Sequence, residues 1–175
     1  MTHEPFEQML SGGHPNSLGR TIEAVDTVLA DPSRLDDLYQ CYFSEDEVVR
    51  LRTSNALKRI SKEHSDWLIP YIDKFLTEIS EIEQASTQWT LANLFETLAK
   101  DMSETQLASA KTILKRNLTT WEDWIVLNNT MQTLGEWAKN DGELKAWLLP
   151  YLEERQQDAR KSVANRAKKL QARLG

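Results

Sequence analysis

The chain has 175 residues, of which 40% are hydrophobic and 27% are charged, with a formal net charge of −6. This composition is typical of a globular domain and excludes a disordered or fibrous chain. No apolar run approaches the ~20 residues of a membrane-spanning helix. The first ten residues lack the pattern of a signal peptide, and the single cysteine cannot form an internal disulfide. We therefore expect a cytoplasmic protein with no membrane association.

The charge is distributed unevenly along the chain. Residues 155–175 carry seven basic side chains and one acidic one, Asp158, whereas the first 154 residues carry a net charge of −12. An acidic body argues against broad contact with nucleic acid, because affinity for nucleic acid comes mainly from neutralising phosphates. The basic end is either a solvated helix face or a docking surface for an acidic partner.

The N-terminal residues 1–16 show no periodic pattern, and we expect them to be flexible. The turn Ser11-Gly12-Gly13-His14-Pro15 could hold an anion, but its glycine spacing fits neither the P-loop nor the dinucleotide fingerprint. Residues 17–175 are predicted to form a single domain. Its first helix is predicted from about Ser17 to Ala30, where Asp31-Pro32 ends it. The face predicted to be buried carries Leu18, Ile22, Val25 and Leu29.

The rest of the chain is predicted to be helical, because no segment alternates with a period of two. The helix over 46–60 has Val49, Thr53, Ala56, Leu57 and Ile60 on one apolar face. Capping boxes are predicted at Ser44 with Glu47 and at Ser103 with Gln106, and Thr120 is predicted to cap a later helix. About nine helices are expected, the others at about 34–43, 66–78, 84–100, 103–117, 120–139, 143–154 and 158–174.

A repeated motif organises these helices. The pattern Asn-x-Φ-x-x-Φ, in which Φ is mostly a large apolar residue, begins at Asn55, Asn93, Asn129 and Asn165. The intervals are 38, 36 and 36 residues. The preceding segment Trp67-Leu-Ile-Pro-Tyr-Ile also returns, as Trp147-Leu-Leu-Pro-Tyr-Leu. A helix pair that recurs at this period predicts a solenoid, in which each unit buries its apolar face against its neighbours.

The helix over 46–60 resembles the second helix of a HEAT repeat, since it opens with Val-Arg and continues as small-x-x-Ala-Leu-x-x-Ile. The match is partial at 159–170 and degenerate at 84–98 and 121–134, where Gln88 and Trp124 replace the arginine. The resemblance covers roughly residues 34–173, and the chain is similar to short stand-alone bacterial HEAT proteins. It implies an all-α, right-handed α-solenoid of about four HEAT-like helix pairs. The helix over 17–30 would then cap its N-terminal end.

Few residues predict chemistry. The three histidines are scattered, so no metal site is predicted, and nothing brings Cys41 and His64 together as a nucleophile and base. Cys41 lies among aromatic residues, which indicates a buried position. We expect neither a catalytic residue nor a cofactor.

The HEAT resemblance implies a scaffold that binds another protein on a concave surface built from its second helices. The alternative is a nucleic-acid-binding protein or an enzyme on the same scaffold, because HEAT-like DNA glycosylases and phycobilin lyases exist. A polar, weakly charged groove would favour a protein partner. A continuous basic stripe with a central carboxylate would favour DNA.

The repeated asparagine gives the predicted binding surface. At ~100° per residue, Asn55 lies nearly opposite the apolar stripe, and asparagine is not favoured inside helices for its own sake. The predicted partner-binding column is Arg52, Asn55, Arg59, Thr90, Asn93, Thr97, Val126, Asn129, Thr133, Trp137, Asn165 and Lys169. The alternative is structural: exposed positions tolerate asparagine, or the stacked asparagine amides bond one another between repeats.

Overall fold

The structure, a computed structural model, describes residues 3–175, and all regular secondary structure among them is helical. These residues form ten α-helices joined by short turns and 3₁₀ segments. By internal contacts the chain divides into two compact units, the first ending at Lys74 and the second running from Phe75 to Gly175. From the sequence we expected one domain over 17–175. No helix of the described part is long and apolar enough to cross a membrane.

The first unit is built around one long helix. Its helices are α1 (Phe6–Leu10), α2 (Thr21–Ala30), α3 (Leu35–Gln40) and α4 (Glu47–Glu63). A 3₁₀ segment, Ser65–Tyr71, contains Pro70 and leads into α5 (Ile72–Thr77). The α2 and α1 helices both pack against α4.

The α4 helix has the apolar face that the sequence predicts. Val49, Thr53, Ala56, Leu57 and Ile60 are all buried. Its N-terminus differs from the prediction, because the cap is Asp46 and not Ser44. The Asp46 carboxylate accepts a hydrogen bond from the Val48 amide at 2.8 Å, whereas the Ser44 hydroxyl accepts one from the Asp46 amide.

The N-terminal segment, which the sequence predicts to be flexible, contains a short packed helix among its described residues. Phe6, Met9 and Leu10 of α1 are buried. The next helix begins at Thr21 and not near Ser17, because Gly19 has φ +52°, a left-handed conformation that interrupts a right-handed helix. The buried face of α2 is Thr21, Ala24, Val25 and Val28, and of the predicted set only Val25 is buried.

The second unit contains five longer helices. They are α6 (Ala85–Leu98), α7 (Glu104–Thr120), α8 (Trp124–Ala138), α9 (Gly142–Arg155) and α10 (Lys161–Leu174). The predicted Ser103–Gln106 capping box is present at the start of α7. The predicted cap at Thr120 is wrong, since Thr120 ends α7 and the Asp123 carboxylate caps α8.

The α8 helix is the centre of the second unit. It packs side by side with α6 and with α10, and α7 and α9 pack against it as well. Gly135 permits the close approach of α10, because a Cβ atom there would lie 2.8 Å from a terminal methyl group of Leu170. The three helices that carry the repeated asparagine at positions 93, 129 and 165 are therefore neighbours in space.

The α4 and α6 helices, whose repeated asparagines are 38 residues apart, share one type of hydrogen bond from a side chain to the backbone. Arg50 donates a hydrogen bond to the Ser44 carbonyl at 2.6 Å, and Gln88 donates one to the Ile82 carbonyl at 2.8 Å. In both cases a side chain in the first turn of the helix holds the carbonyl six residues upstream. Gln88 in α6 thus makes the same type of contact that Arg50 makes in α4.

Candidate functional site

Part of the predicted binding column is buried in the interior of the protein. Arg52, Thr90, Val126 and Thr133 are buried, and Arg52 is only 2% exposed. These four side chains cannot line an exposed groove, so the prediction is corrected there. The other members keep at least partial exposure: Asn55, Arg59, Asn93, Asn129 and Trp137 are half-buried, while Thr97, Asn165 and Lys169 are exposed. Partner binding by these residues stays a prediction.

Two members of the column on α8, Val126 and Thr133, are buried because α8 has neighbouring helices on both sides. The Thr133 hydroxyl donates a hydrogen bond to the Ala92 carbonyl of α6 at 2.9 Å, and the Asn129 amide reaches the Trp89 carbonyl at 3.4 Å. One face of α8 therefore turns toward α6. The apolar stripe of a single helix does not predict which of its polar residues contact a neighbouring helix. The column asparagine Asn129 thus contacts the backbone of the neighbouring helix α6.

Arg52 binds backbone of its own chain. Its guanidinium donates hydrogen bonds to the carbonyl oxygens of Leu10, Gly12, His14 and Ser17. Both Gly12 and Gly13 have φ +79°, which lets the turn close around the cation. The glycine-rich turn therefore presents carbonyl oxygens to a guanidinium of the same chain. Sequence reasoning missed this because arginine in a helix is usually a surface residue.

The structure does not assemble a metal centre among residues 3–175. No group of three or more His, Cys, Asp or Glu side chains there could hold a metal ion. Cys41 is buried as predicted, and burial raises the pKa of its thiol to about 11. The thiol is therefore protonated at neutral pH, which makes it a poor nucleophile.

A groove between α2 and α4 brings together two of the predicted residues, Asn55 and Arg59. Its volume is about 350 Å³. We call it the α2–α4 groove, and it is lined by Ile22, Val25, Asp26, Leu29, Asn55, Lys58, Arg59, Lys62 and Glu63. All nine residues belong to the first unit.

One wall of the α2–α4 groove is positively charged. Lys58, Arg59 and Lys62 form no ion pair with any residue in the described range 3–175. Burial lowers the pKa of Lys58 below its usual value, and repulsion from Lys62 and Arg59 lowers it further. The Arg59 Nε donates to the Asn55 side-chain oxygen at 2.7 Å, which fixes the guanidinium and leaves its terminal nitrogens available. An anionic group bound here would relieve the repulsion among the three cations.

The opposite wall is aliphatic and partly exposed. Ile22 is 41% exposed and Leu29 is half-buried, and Leu18, which precedes α2 and does not line the groove, is also 41% exposed. The sequence predicts all three to be core residues. The spacing of Thr21, Ala24, Val25 and Val28 was the signal for the true buried face, and it leaves Leu18 and Ile22 on the surface.

No known protein-family model matches the chain, and no curated protein matches it significantly. The resemblance to HEAT repeats therefore stays an expectation from the sequence.

Proposed function

We propose that this chain is a non-catalytic interaction module that binds an acidic, aliphatic-rich segment of another protein in the α2–α4 groove. The observation that carries the proposal is the pairing of three cations that lack acidic partners with an exposed aliphatic wall. Carboxylates of the partner would contact Lys58, Arg59 and Lys62, and its aliphatic side chains would cover Ile22. Burial of apolar area would supply affinity, and the charges would supply orientation and specificity.

The finer fold expected from the sequence, a right-handed α-solenoid of HEAT-like helix pairs, stays part of this proposal. Two features support it. The asparagine-bearing helices α6, α8 and α10 lie side by side, and Arg50 and Gln88 anchor equivalent carbonyls 38 residues apart. A cytoplasmic location also stays a prediction.

A protein segment suits the α2–α4 groove better than a nucleic acid does. Asp26 and Glu63 lie in the same groove as the three cations, so the lining carries both signs of charge. A phosphate backbone requires a continuous basic track, and these carboxylates would repel it. A peptide can place aliphatic or basic side chains beside them.

Fluorescence anisotropy with labelled synthetic peptides tests the proposal. The probe is a peptide of about 12 residues, three helical turns long, that combines Glu with Leu at helical spacing. We expect it to bind in the range of about 10 µM. Replacing its Leu residues by Ser, or its Glu residues by Lys, should abolish binding, since either change removes one of the two matching features.

Variants of the protein locate the binding site. Lys58→Gln with Lys62→Gln should weaken binding about tenfold, and Ile22→Ser should weaken it to a similar degree. The matched control is Lys161→Gln with Lys168→Gln, which removes the same charge from exposed positions on α10 outside the predicted column. Equal weakening by both double variants would indicate non-specific attraction. Tighter binding of single-stranded DNA than of the acidic peptide would favour the nucleic-acid alternative.

A further inference from the structure

A second cavity, in the second unit, is independent of the α2–α4 groove. Its volume is about 580 Å³, and it lies where the chain enters α6 and leaves α7. Arg116 and Trp121 line it, together with Ile82 and the carboxylates Glu81 and Glu83. It therefore combines a cation, an aromatic surface and two acidic groups.

A buried polar network holds Arg116 in one orientation. The Asn117 side-chain oxygen accepts hydrogen bonds from Nε and Nη2 of Arg116, at 3.2 and 3.1 Å, and the Ser80 carbonyl accepts one from Nη2 at 3.0 Å. Asn117 is itself held by Gln88, at 2.9 Å. Both amide side chains are buried. The guanidinium is thus fixed before any ligand arrives, which lowers the entropy cost of binding.

The remaining edge of that guanidinium is open. The Arg116 Nη1 has no hydrogen-bond acceptor in the described residues, and the nearest acidic oxygen, from Glu81, lies 3.9 Å away. The Glu81 side chain is 76% exposed, so it is a loose neighbour that a ligand could displace. A fixed guanidinium edge with free N–H groups is a geometry that recognises carboxylate.

The rest of the lining restricts which carboxylate would bind. Trp121 and Ile82 are half-buried and offer apolar contact to a flat side chain. Glu81 and Glu83 would repel a simple anion, but they would attract an ammonium group placed next to the carboxylate. We propose that this cavity binds a zwitterionic aromatic α-amino acid, with its carboxylate on Arg116, its ring on Trp121 and its ammonium group facing Glu81 and Glu83.

Three small probes that differ by one group each test the proposal in the full chain by amide NMR. L-Phenylalanine has both charges, hydrocinnamate lacks the ammonium group, and phenethylamine lacks the carboxylate. L-Phenylalanine should shift the amide signals of residues 80–88 and 116–121 saturably, with a dissociation constant of about 1 mM. Hydrocinnamate should bind more weakly, and phenethylamine should cause no saturable shift.

Variants separate this site from general aromatic binding. Arg116→Lys keeps the charge but loses the planar fork, so it should weaken L-phenylalanine binding about tenfold. Glu83→Gln should weaken L-phenylalanine and strengthen hydrocinnamate, a reversal that loss of folding cannot produce. Trp124→Ala removes a 48% exposed indole outside the cavity and should change neither affinity. Absence of saturation up to about 20 mM would overturn the proposal, and so would unchanged binding in both Arg116→Lys and Glu83→Gln.

Discussion

The repeated helices of the two units differ in what their buried side chains contact. Three residues before the repeated asparagine, α4 has Arg52 and α8 has Val126, and both side chains are buried. Val126 shares a helical face with Thr133, which contacts the backbone of the regular helix α6. Arg52 faces the end of α1 and the irregular loop after it, where it donates hydrogen bonds to the carbonyl oxygens of Leu10 and His14. A helix satisfies its own backbone and can be met by small or apolar groups, whereas a loop needs a donor from outside.

Removing the core side chain at equivalent positions tests whether the two units share one repeat. Leu57→Ala and Met131→Ala each delete a fully buried side chain two residues after the repeated asparagine. Each should lower the free energy of unfolding by about 2–5 kcal/mol. Urea unfolding followed by circular dichroism measures both. A loss below about 0.5 kcal/mol in one of them would show that its unit does not use the repeat in the predicted register.

Arg52→Met tests this difference between the units most directly, because it removes the side chain that binds the loop. The methionine keeps an apolar stem but removes the guanidinium donor from the carbonyls of residues 10, 12, 14 and 17, of which only that of His14 keeps a bond within the described residues, from the Ser17 amide. We expect a loss of about 2–4 kcal/mol, less than the sum of four bonds because the exposed carbonyls can turn to water. Hydrogen exchange should show faster amide exchange over residues 6–19 and little change in α8 and α10.

Val126→Ala is the counterpart in the second unit. It removes two methyl groups from a helix contact and should cost about 1–2 kcal/mol without a loop that unfolds locally. Uniform acceleration of exchange in Arg52→Met across both units would contradict the local role that the hydrogen bonds of Arg52 indicate.

The sequence predicted those parts of the fold that depend on one helix at a time. The apolar stripe from Val49 to Ile60 and the Ser103–Gln106 box follow from local spacing, and the structure contains both. The failures depend on tertiary context. Ile22 is exposed because α2 buries the face that carries Ala24 and Val28 instead. The burial of Arg52 required knowledge of which loop returns to α4, and spacing along the helix does not contain that information.

The same limit applies to the candidate site. The repeated asparagine identified α4, and Asn55 and Arg59 do line the α2–α4 groove. The Lys58 and Ile22 side chains, which give the groove its charge and its apolar wall, were outside the predicted set. Their roles depend on how α2 is rotated against α4, which only the packing of both helices determines.

Glycine substitutions examine the loop that distinguishes the first unit. Gly19→Ala adds a Cβ at φ +52° that would lie 2.9 Å from the Arg52 guanidinium, so backbone strain and a steric clash combine. We expect a loss of about 2–3 kcal/mol in unfolding free energy. Gly12→Ala is the matched control, since its φ is +79° but its Cβ would meet open space. It should cost only about 1 kcal/mol. Equal losses would mean that Arg52 yields to the added methyl group.

The smallest expected effect concerns the helix contact that distinguishes the second unit. Thr133→Val is nearly isosteric and removes only the hydroxyl that bonds the Ala92 carbonyl of α6. The Ala92 carbonyl is also part of a helix whose backbone the substitution does not change. The free energy of unfolding should therefore fall by only about 1 kcal/mol. Thr97→Val is the control at the equivalent position of α6, four residues after the asparagine. Its exposed hydroxyl bonds the Asn93 carbonyl of its own helix, and its loss should be within about 0.5 kcal/mol of zero. If the two variants are equally stable, the hydrogen bond from Thr133 to the Ala92 carbonyl adds nothing to the α6–α8 contact, and that position of α8 would not need a polar group.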